Sequence, residues 1–366
     1  MNFSAVDHAL MARALRLADR GLFTTQPNPR VGCVIAHGER IVGEGWHRRA
    51  GEPHAEVHAL QAAGDHARGG TAYVTLEPCG LHGRTPPCAD ALIGAGVARV
   101  VVASEDAFQN EGRAIERLRA AGIVVETGLM RDAARELNRG FFARVERGRP
   151  WLRLKLAMSL DGRTALANGE SKWITGEAAR ADVQRWRARS SALLTGIGTV
   201  LADDPRLTVR GLQYAGPPPL RAVLDRDLRT PPGAHVLDGS APTLIFHAPA
   251  ARPAPADFGR VECVAVETGA GGLDLSRVLA ELGRRGVNEL QVEAGPVLSG
   301  SLFAAGLVDE CLLYVAPVLL GDTARPLLAL PPLSEMASRW HLRSVERRQV
   351  GDDLRLLLRP PNQATE

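Results

Sequence analysis

Four residues near the start of the chain have side chains that could bind and use a zinc ion. His54 and Glu56 are separated by one residue, and Cys79 and Cys88 follow them. A hydrolytic zinc site needs three protein ligands and one open position for water, which one histidine and two thiolates provide. A carboxylate two residues after the histidine can face the metal without binding it and can move protons. The spacing therefore predicts zinc ligands at His54, Cys79 and Cys88, with Glu56 as the catalytic acid and base.

Two other interpretations of these residues stay open at the level of sequence. A structural zinc ion would take a fourth ligand, for which His58 or His82 is available. A metalloprotease pair, His54 and His58, would require a glutamate directly after the first histidine, whereas here the glutamate is two residues after it. The combination of His-x-Glu with two later cysteines is instead typical of zinc deaminases.

Hydrophobic periodicity predicts an α/β domain around this cluster, with Glu56 and Cys88 each near the start of a helix. Helices are expected at Ser4 to Arg20, His54 to Ala63, Cys88 to Ala95 and Gly112 to Ala121, and strands at Val31 to Ala36, Arg40 to Glu44, Ala72 to Leu76, Arg99 to Ala103 and Val124 to Thr127. The run Arg147-Gly-Arg-Pro150 interrupts the pattern. We therefore expect domains at residues 1–147 and 150–360.

The second half repeats the alternation of strands and helices, which again predicts an α/β domain. Strands are expected at Trp151 to Ala157, Ala192 to Thr195, Leu220 to Leu224, Thr243 to Phe246, Glu289 to Glu293 and Glu310 to Val315, and helices at Gly176 to Ala188, Leu275 to Arg284 and Leu298 to Ala305. Glycine-containing turns follow two of these strands, at Thr195 to Gly198 and Glu293 to Gly300. They suit phosphate binding or simple tight turns, because neither has the Gly-x-Gly-x-x-Gly spacing.

Composition narrows the class of protein. The chain has 366 residues, 45% hydrophobic, a net charge of +3 and five cysteines. These values favour two globular domains, argue against a nucleic-acid-binding protein, and with no export signal predict a reducing cytoplasm. Of 44 basic residues only Lys155 and Lys172 are lysine. A lysine retained among so many arginines suggests a position where arginine cannot replace it. Lys155 is such a candidate, because its ammonium group suits proton transfer.

Several motifs together resemble the bifunctional deaminase/reductase family of riboflavin biosynthesis. In the first half these are Thr75-Leu-Glu-Pro-Cys79, Gly83-Arg-Thr-Pro-Pro-Cys88, Pro27-Asn-Pro-Arg-Val-Gly32 and Gly51-Glu-Pro-His-Ala-Glu56. In the second half they are Lys155-Leu-Ala-Met-Ser-Leu-Asp-Gly-Arg163, Gly169-Glu-Ser-Lys-Trp-Ile-Thr175, Thr199-Val-Leu-Ala-Asp-Asp-Pro205, Leu207-Thr-Val-Arg210 and Val292-Glu-Ala-Gly-Pro296. The resemblance implies a cytidine-deaminase-like α/β/α domain followed by a dihydrofolate-reductase-like α/β domain that uses NADPH.

The resemblance also implies binding residues. Contacts to NADP are expected from Ala157, Trp173, Thr199, Asp203, Gly295, Pro296, Val297, Leu298, Ser299, Gly300 and Ser301. Contacts to substrate are expected from Asn28, Arg84, Ser171, Arg187, Leu207, Arg210 and Glu293. Arg187 and Arg210 would suit a phosphate clamp, because guanidinium groups bind phosphate in a bidentate manner. The sequence departs from the family pattern at Arg226 and after Asp106, so both contacts stay open.

The implied chemistry is a pair of consecutive reactions. The first is hydrolytic deamination of 2,5-diamino-6-ribosylamino-4(3H)-pyrimidinone 5′-phosphate, with Glu56 moving the protons. The second is reduction by NADPH of the ribosyl group of 5-amino-6-(5-phosphoribosylamino)uracil to ribityl, with Lys155 and Glu293 as candidate proton donors. The expected partners are these small molecules and a second copy in a dimer or tetramer, without nucleic acid or membrane. A tRNA or nucleoside deaminase joined to an unrelated domain, a binding module with a structural zinc, and a degenerate reductase domain are the competing interpretations.

Overall fold

The computed structural model describes residues 3–82, 86–106, 113–252, 258–259, 261–269 and 271–361. The chain forms two compact units. The first comprises Met1–Gly148 together with Ala215–Pro217, and the second comprises Arg149–Tyr214 and Pro218–Glu366. Each unit is built on its own β-sheet.

The first unit contains one five-stranded sheet with helices on both faces. Its helices are α1 (Ala5–Asp19), α2 (Ala55–Ala63), α3 (Cys88–Ala95), α4 (Ala114–Ala120), α5 (Arg131–Leu137) and α6 (Arg139–Arg147). Its strands are β1 (Gly32–His37), β2 (Arg40–Trp46), β3 (Thr71–Val74), β4 (Arg99–Val102) and β5 (Val124–Thr127), in the order β2-β1-β3-β4-β5. Strands β3, β4 and β5 are parallel, whereas β1 is antiparallel to both of its neighbours.

Two apolar clusters fill the space above and below this sheet. One holds α1 and α5 through Leu10, Met11 and Ala134. The other holds α2, α3 and α4 through Ala59 and Leu92, among others. The sheet therefore lies between two helical layers, which is the α/β/α arrangement expected from the sequence.

Glycines in β2 bring the start of α2 against the sheet. A β-carbon on Gly43 would lie 2.2 Å from the carbonyl oxygen of Ala59, and one on Gly45 would lie 2.3 Å from that of Ala55. Any larger residue would push α2 outward. This close approach positions the residues at the N-terminus of α2, where His54 and Glu56 lie.

The second unit contains a nine-stranded sheet in the order β11-β10-β9-β8-β14-β6-β15-β18-β17. Its main strands are β6 (Trp151–Ser159), β8 (Ala192–Gly196), β9 (Leu220–Leu224), β10 (Thr243–His247), β11 (Glu262–Ala265), β14 (Glu289–Val292), β15 (Glu310–Ala316), β17 (Arg343–Val350) and β18 (Asp353–Arg359). Four short strands, β7 (Arg163–Ala165), β12 (Thr268–Gly269), β13 (Gly272–Leu273) and β16 (Arg325–Pro326), form two small separate sheets. Its helices are α7 (Glu177–Arg189), α8 (Ile197–Asp203), α9 (Leu275–Arg284) and α10 (Pro296–Ala304).

The strands from β11 to β15 in this order are parallel, so their carboxyl ends meet at one edge of the sheet. In open α/β sheets this edge is where ligands bind. The pair β17 and β18 adds an antiparallel ribbon that the sequence analysis did not predict. Helices α5, α6 and α8 were also not predicted, and α10 begins at Pro296 rather than at Leu298.

Candidate functional sites

The structure brings the three predicted zinc ligands together. One donor atom from each of His54, Cys79 and Cys88 lies within 4.8 Å of the others. The Nδ1 atom of His54 is 3.2 Å from the sulfur of Cys88 and 3.5 Å from that of Cys79. Within the described part of the chain no further His, Cys, Asp or Glu joins this group. One imidazole and two thiolates with a fourth position left open fit a catalytic zinc ion.

The N-terminus of α3 prepares one of the sulfurs for a metal. Cys88 is the first residue of this helix, and its backbone N–H donates to the sulfur of Cys79 at 3.2 Å. Hydrogen bonds from Cys88 and His54 lower the pKa of the Cys79 thiol to about 4. A thiol with this pKa is a thiolate at neutral pH, which is the form that binds metal.

Glu56 is placed to carry protons beside the three ligands. It is the second residue of α2, only 2% of its surface is exposed, and its Oε2 has no hydrogen-bond partner among the described residues. Burial raises the pKa of Glu56 to about 7, although the charge of His54 opposes the shift. A carboxyl group with a pKa near neutrality can both accept and donate a proton during turnover.

His47 connects the predicted substrate residue Asn28 to the metal site, and the sequence analysis missed it. The Nδ2 group of Asn28 donates to Nε2 of His47 at 3.2 Å, and Nδ1 of His47 donates to the carbonyl oxygen of Pro53 at 3.2 Å. The His47 ring meets the His54 ring edge-on, with centroids 5.4 Å apart. A signal was available, because Gly43 and Gly45 mark the face of β2 that contacts α2, and position 47 continues their alternation.

Two further positions of the first domain, Arg84 and Asp106, were considered as substrate contacts in the sequence analysis. Arg84 lies outside the described residues, as do the positions directly after Asp106. Asp106 itself is buried, and its backbone N–H donates to Oε2 of Glu77 at 3.1 Å.

In the second unit, the structure brings Lys155, Arg187 and Glu293 together although they are far apart in sequence. Two guanidinium nitrogens of Arg187 each donate to one carboxylate oxygen of Glu293 at 2.7 Å. Burial alone would raise the pKa of Glu293, but the charges of Arg187 and Lys155 outweigh it and lower that pKa to about 2. Burial also lowers the pKa of Lys155, with Glu293 opposing and Arg187 reinforcing the shift. A lysine with a lowered pKa is better suited to donate a proton.

Arg187 and Arg210, the two arginines expected to bind the substrate's phosphate, have different surroundings. The third nitrogen of Arg187 donates to the carbonyl oxygen of Thr208 at 2.9 Å, so the guanidinium is already occupied by protein groups. Arg187 therefore orients Glu293, and its expected contact with the substrate's phosphate stays a prediction. Arg210 is exposed, and no ion pair of its side chain is found among the described residues.

The residues expected to bind the cofactor lie around the carboxyl edge of the sheet. Ala157 is near the end of β6, Thr199 and Asp203 are in α8 directly after β8, and Gly295 caps α10 after β14. A β-carbon on Gly196 would meet the Leu298 side chain at 3.2 Å, which shows that the starts of α8 and α10 are adjacent. No side chain caps the N-terminus of α10, so its first N–H groups can receive a phosphate of NADPH.

The loop before α7 presents the remaining predicted residues at the same edge. Trp173 is 70% exposed, and Arg180 stacks over its ring at 4.7 Å. Lys172 is also exposed and lies 3.8 Å from Asp203, which links this loop to α8.

Arg226, at a position where the sequence departs from the family pattern, is exposed and pairs with its neighbour Asp227 at 3.0 Å.

Models of two protein families match the chain in succession. Residues 4–104 match the cytidine and deoxycytidylate deaminase zinc-binding region, and residues 150–356 match the RibD C-terminal domain. The fold and the two sites thus define a zinc-dependent deaminase joined to an NADPH-dependent reductase. The expected order of a cytidine-deaminase-like domain followed by a reductase domain is confirmed.

Proteins that are similar to this chain along nearly its whole length identify its family. The riboflavin biosynthesis protein RibD of Escherichia coli is 50% identical over 96% of this chain and 99% of its own length. RibD of Acinetobacter baumannii has a solved structure with a TM-score of 0.90 and 44% identity, covering 97% of this chain and 99% of that one. A Thermotoga maritima structure described as a diaminohydroxyphosphoribosylaminopyrimidine deaminase/5-amino-6-(5-phosphoribosylamino)uracil reductase has a TM-score of 0.85 and 32% identity, covering 97% and 99%. The chain belongs to the RibD family of bifunctional riboflavin biosynthesis enzymes.

These findings also decide between the competing interpretations. Similarity to RibD proteins runs through both domains, so the second domain is not an unrelated fusion partner. The chain is an enzyme, and its zinc is part of a deaminase rather than a clip in a binding module. Among the described helices, none combines the length and the apolar character needed to cross a bilayer.

Proposed function

We propose that the first domain, residues 1–147, deaminates 2,5-diamino-6-ribosylamino-4(3H)-pyrimidinone 5′-phosphate. The observation that carries the proposal is the group of three donor atoms within 4.8 Å, with the buried carboxyl of Glu56 beside it. His54, Cys79 and Cys88 hold zinc, which when bound activates water by lowering its pKa. Glu56 takes a proton from the attacking water and delivers it to the departing amine, so that the C–O bond forms, the C–N bond breaks and ammonia leaves.

The other residues near this site have positioning roles in the proposal. His47 holds the amide of Asn28, which leaves the Oδ1 of Asn28 available to hydrogen-bond the pyrimidine edge. Arg84 stands in the sequence between the two cysteine ligands and contacts the substrate in this proposal. Both contacts are part of the proposal and are supported by motif position.

We propose that the second domain, residues 150–360, then reduces 5-amino-6-(5-phosphoribosylamino)uracil. NADPH, when bound, supplies a hydride to C1′ of the ring-opened sugar imine. Its contacts come from Ala157, Trp173, Thr199, Asp203 and the segment from Gly295 to Ser301. Lys155 supplies a proton to the nitrogen of the imine that is being reduced, and Glu293 stabilises the charged form of Lys155 and orients it together with Arg187. The substrate that carries the phosphoribosyl group is contacted by Ser171, Arg187, Leu207, Arg210 and Glu293, with Arg210 as the exposed phosphate ligand.

The finer points of location and assembly also belong to this proposal. The five cysteines are free, as expected for an enzyme of the cytoplasm. A homodimer or homotetramer is the expected assembly, and light scattering of the purified enzyme measures it directly.

Incubation with the diaminopyrimidinone phosphate, with and without NADPH, tests both steps. Ammonia should appear in both reactions, and the absorbance of the nicotinamide should fall only where NADPH is supplied together with substrate. Ammonia without any loss of NADPH absorbance would contradict the proposed second step, and no ammonia in either reaction would contradict the first.

A further inference from the structure

Residues 204–210, here called the substrate segment, have an unusual backbone. Asp204 and Leu207 both adopt positive φ values, 42° and 47°, although neither is glycine. This left-handed conformation is disfavoured for residues with a β-carbon, so surrounding groups must hold it in place. The Leu207 side chain is buried in an apolar cluster with Val200 and Val223. The segment therefore has a defined shape before substrate arrives.

A fully buried arginine holds the middle of the segment. Arg221, in β9, has no exposed surface, yet every nitrogen of its guanidinium donates to a protein acceptor. The acceptors are Thr243 Oγ1 at 2.8 Å, Ala241 O at 2.8 Å, Asp238 Oδ1 at 2.9 Å, His235 O at 3.1 Å, Arg206 O at 3.3 Å and Ser240 Oγ at 3.4 Å. The bond to the Arg206 carbonyl fixes the backbone directly before Leu207.

The first residue of the segment is tied to the same anchor. The backbone N–H of His235 donates to Oδ1 of Asp204 at 2.8 Å, and Nδ1 of His235 lies 2.7 Å from Oδ2 of Asp204. Since the carbonyl of His235 binds Arg221, both Asp204 and Arg206 are held through one buried guanidinium.

Helix α7 holds the other end of the segment. Oε1 of Gln184 accepts the backbone N–H of Arg210 at 3.0 Å, and Arg187 donates to the carbonyl of Thr208 at 2.9 Å. Arg187 also binds Glu293, so α7 sets the distance between the segment and the Lys155 cluster. The backbone of Arg210 is thus fixed while its side chain stays exposed.

We propose that Gln184 and Arg221 are positioning residues of the reductase, which fix the substrate segment so that Arg210 meets the substrate's phosphate. The inference rests on the proposed function, in which Leu207 and Arg210 contact the phosphoribosyl group. Neither Gln184 nor Arg221 touches substrate, so their loss should weaken substrate binding without removing the chemistry. Binding of NADPH should change little, because its expected contacts lie on α8, α10 and the loop before α7.

Gln184→Met tests this role at a half-buried position, because methionine keeps the length of the side chain but removes the acceptor. We expect KM for 5-amino-6-(5-phosphoribosylamino)uracil to rise about fivefold. This rise corresponds to the loss of one hydrogen bond that contributes ~1 kcal/mol to binding. The kcat at saturation and the KM for NADPH should stay within about twofold of wild type. Gln349→Met is the matched control, because Gln349 also makes one side-chain bond to backbone, to the carbonyl of Gly351. An unchanged KM in Gln184→Met, or the same rise in Gln349→Met, would overturn the proposal.

Arg221→Lys and Arg153→Lys form a second pair, since both arginines have no exposed surface and lie in the same sheet. Both changes should lower the melting temperature, but only Arg221→Lys should raise KM for the uracil, by about tenfold or more. An equal rise in Arg153→Lys would mean that general destabilisation is responsible. If the wild-type enzyme itself fails to oxidise NADPH with this uracil, the proposed function fails, which is distinct from a failure of the positioning role.

Discussion

Glu56 and Glu293 are carboxylates at the centres of the two sites, and their environments shift the pKa in opposite directions. Glu56 is 2% exposed, one of its oxygens has no partner in the described part of the chain, and burial raises its pKa to about 7. Glu293 has a side chain 13% exposed, but Arg187 and Lys155 lower its pKa to about 2 despite burial. The carboxyl group proposed to exchange protons thus has no cation paired with it by a hydrogen bond among the described residues, whereas Glu293 lies beside two cations.

The two sites also differ in how the chain assembles them. His54 and Cys88 are 34 positions apart and lie at the starts of two adjacent helices. Arg187 and Glu293 are 106 positions apart and meet only because α7 packs against the ends of parallel strands. The deaminase site is therefore visible as a local motif, and the reductase site depends on the whole sheet.

The largest effect is expected from Glu56→Gln, which removes the proton carrier without changing its size. Ammonia release should fall by a factor of about 10²–10⁴, the usual contribution of a general acid and base. Oxidation of NADPH with the uracil intermediate should continue at the wild-type rate. The exposed Glu52, which pairs with Arg49, supplies the control Glu52→Gln. Loss of NADPH oxidation in Glu56→Gln would show that the two sites are not separate.

Removal of the metal should also inactivate the deaminase site and leave the reductase site active. Dialysis against a chelator should abolish ammonia release and leave NADPH oxidation intact, and added zinc should restore the lost activity. Cys88→Ser should lower the zinc content measured by atomic absorption, whereas Cys263→Ser should not, because Cys263 lies outside the ligand group. Zinc-free enzyme that still released ammonia would contradict the role of the metal.

Replacement of each lysine by arginine should have unequal effects on the activity of the reductase. Lys155 is half-buried beside Glu293 and Arg187, where the planar, permanently charged group of arginine cannot replace an ammonium with a lowered pKa. Lys155→Arg should lower kcat for NADPH oxidation by about 10²-fold or more. Lys172 is exposed, so Lys172→Arg should cost less than about threefold. Equal and mild effects would mean that the scarcity of lysine carries no information about function.

The smallest expected effect is on stability, through the ion pair of Glu293. Because the pKa of Glu293 is lowered from 4.5 to about 2, its contribution is complete above pH 4.5 and is lost as the pH falls towards 2. Glu293→Gln should lower the free energy of unfolding at neutral pH by about 3 kcal/mol and flatten its dependence on acid pH. Glu262→Gln, at an exposed pair with Arg285, should cost less than about 1 kcal/mol. Denaturant unfolding at several pH values measures both, and equal losses would contradict the special role of Glu293.

The sequence was sufficient to predict the elements and ligands that are marked by residues next to them in the chain. Helix α3 was predicted with both of its boundaries, because Pro87 precedes Cys88 and Gly96 follows Ala95 in a left-handed conformation. Two of the three metal ligands, His54 and Cys88, were found for the same reason, since each lies where a loop enters a helix. The ribbon of β17 and β18 was missed, because β17 lies at the sheet edge with mostly exposed side chains and therefore lacks an apolar period.

Partners brought together by tertiary structure could not be predicted. The pairing of Arg187 with Glu293 was missed, because nothing local to α7 indicates that its guanidinium would bind this carboxylate. His47, which joins Asn28 to the metal site, carries no motif of its own; its only signal was the alternation with Gly43 and Gly45, and the sequence analysis did not use it. The start of α10 was placed two residues late, because Pro296 was counted in the glycine turn rather than as the first helical residue.

The scarcity of lysine also has a practical consequence. Amine-reactive dyes modify lysines that water can reach, and of the two lysines Lys172 is the exposed one. Lys172 is flanked by Ser171 and Trp173, so a dye there would sit at the edge of the proposed cofactor site. The chain thus carries a native attachment point for a fluorescent reporter of NADPH binding, without any engineered residue.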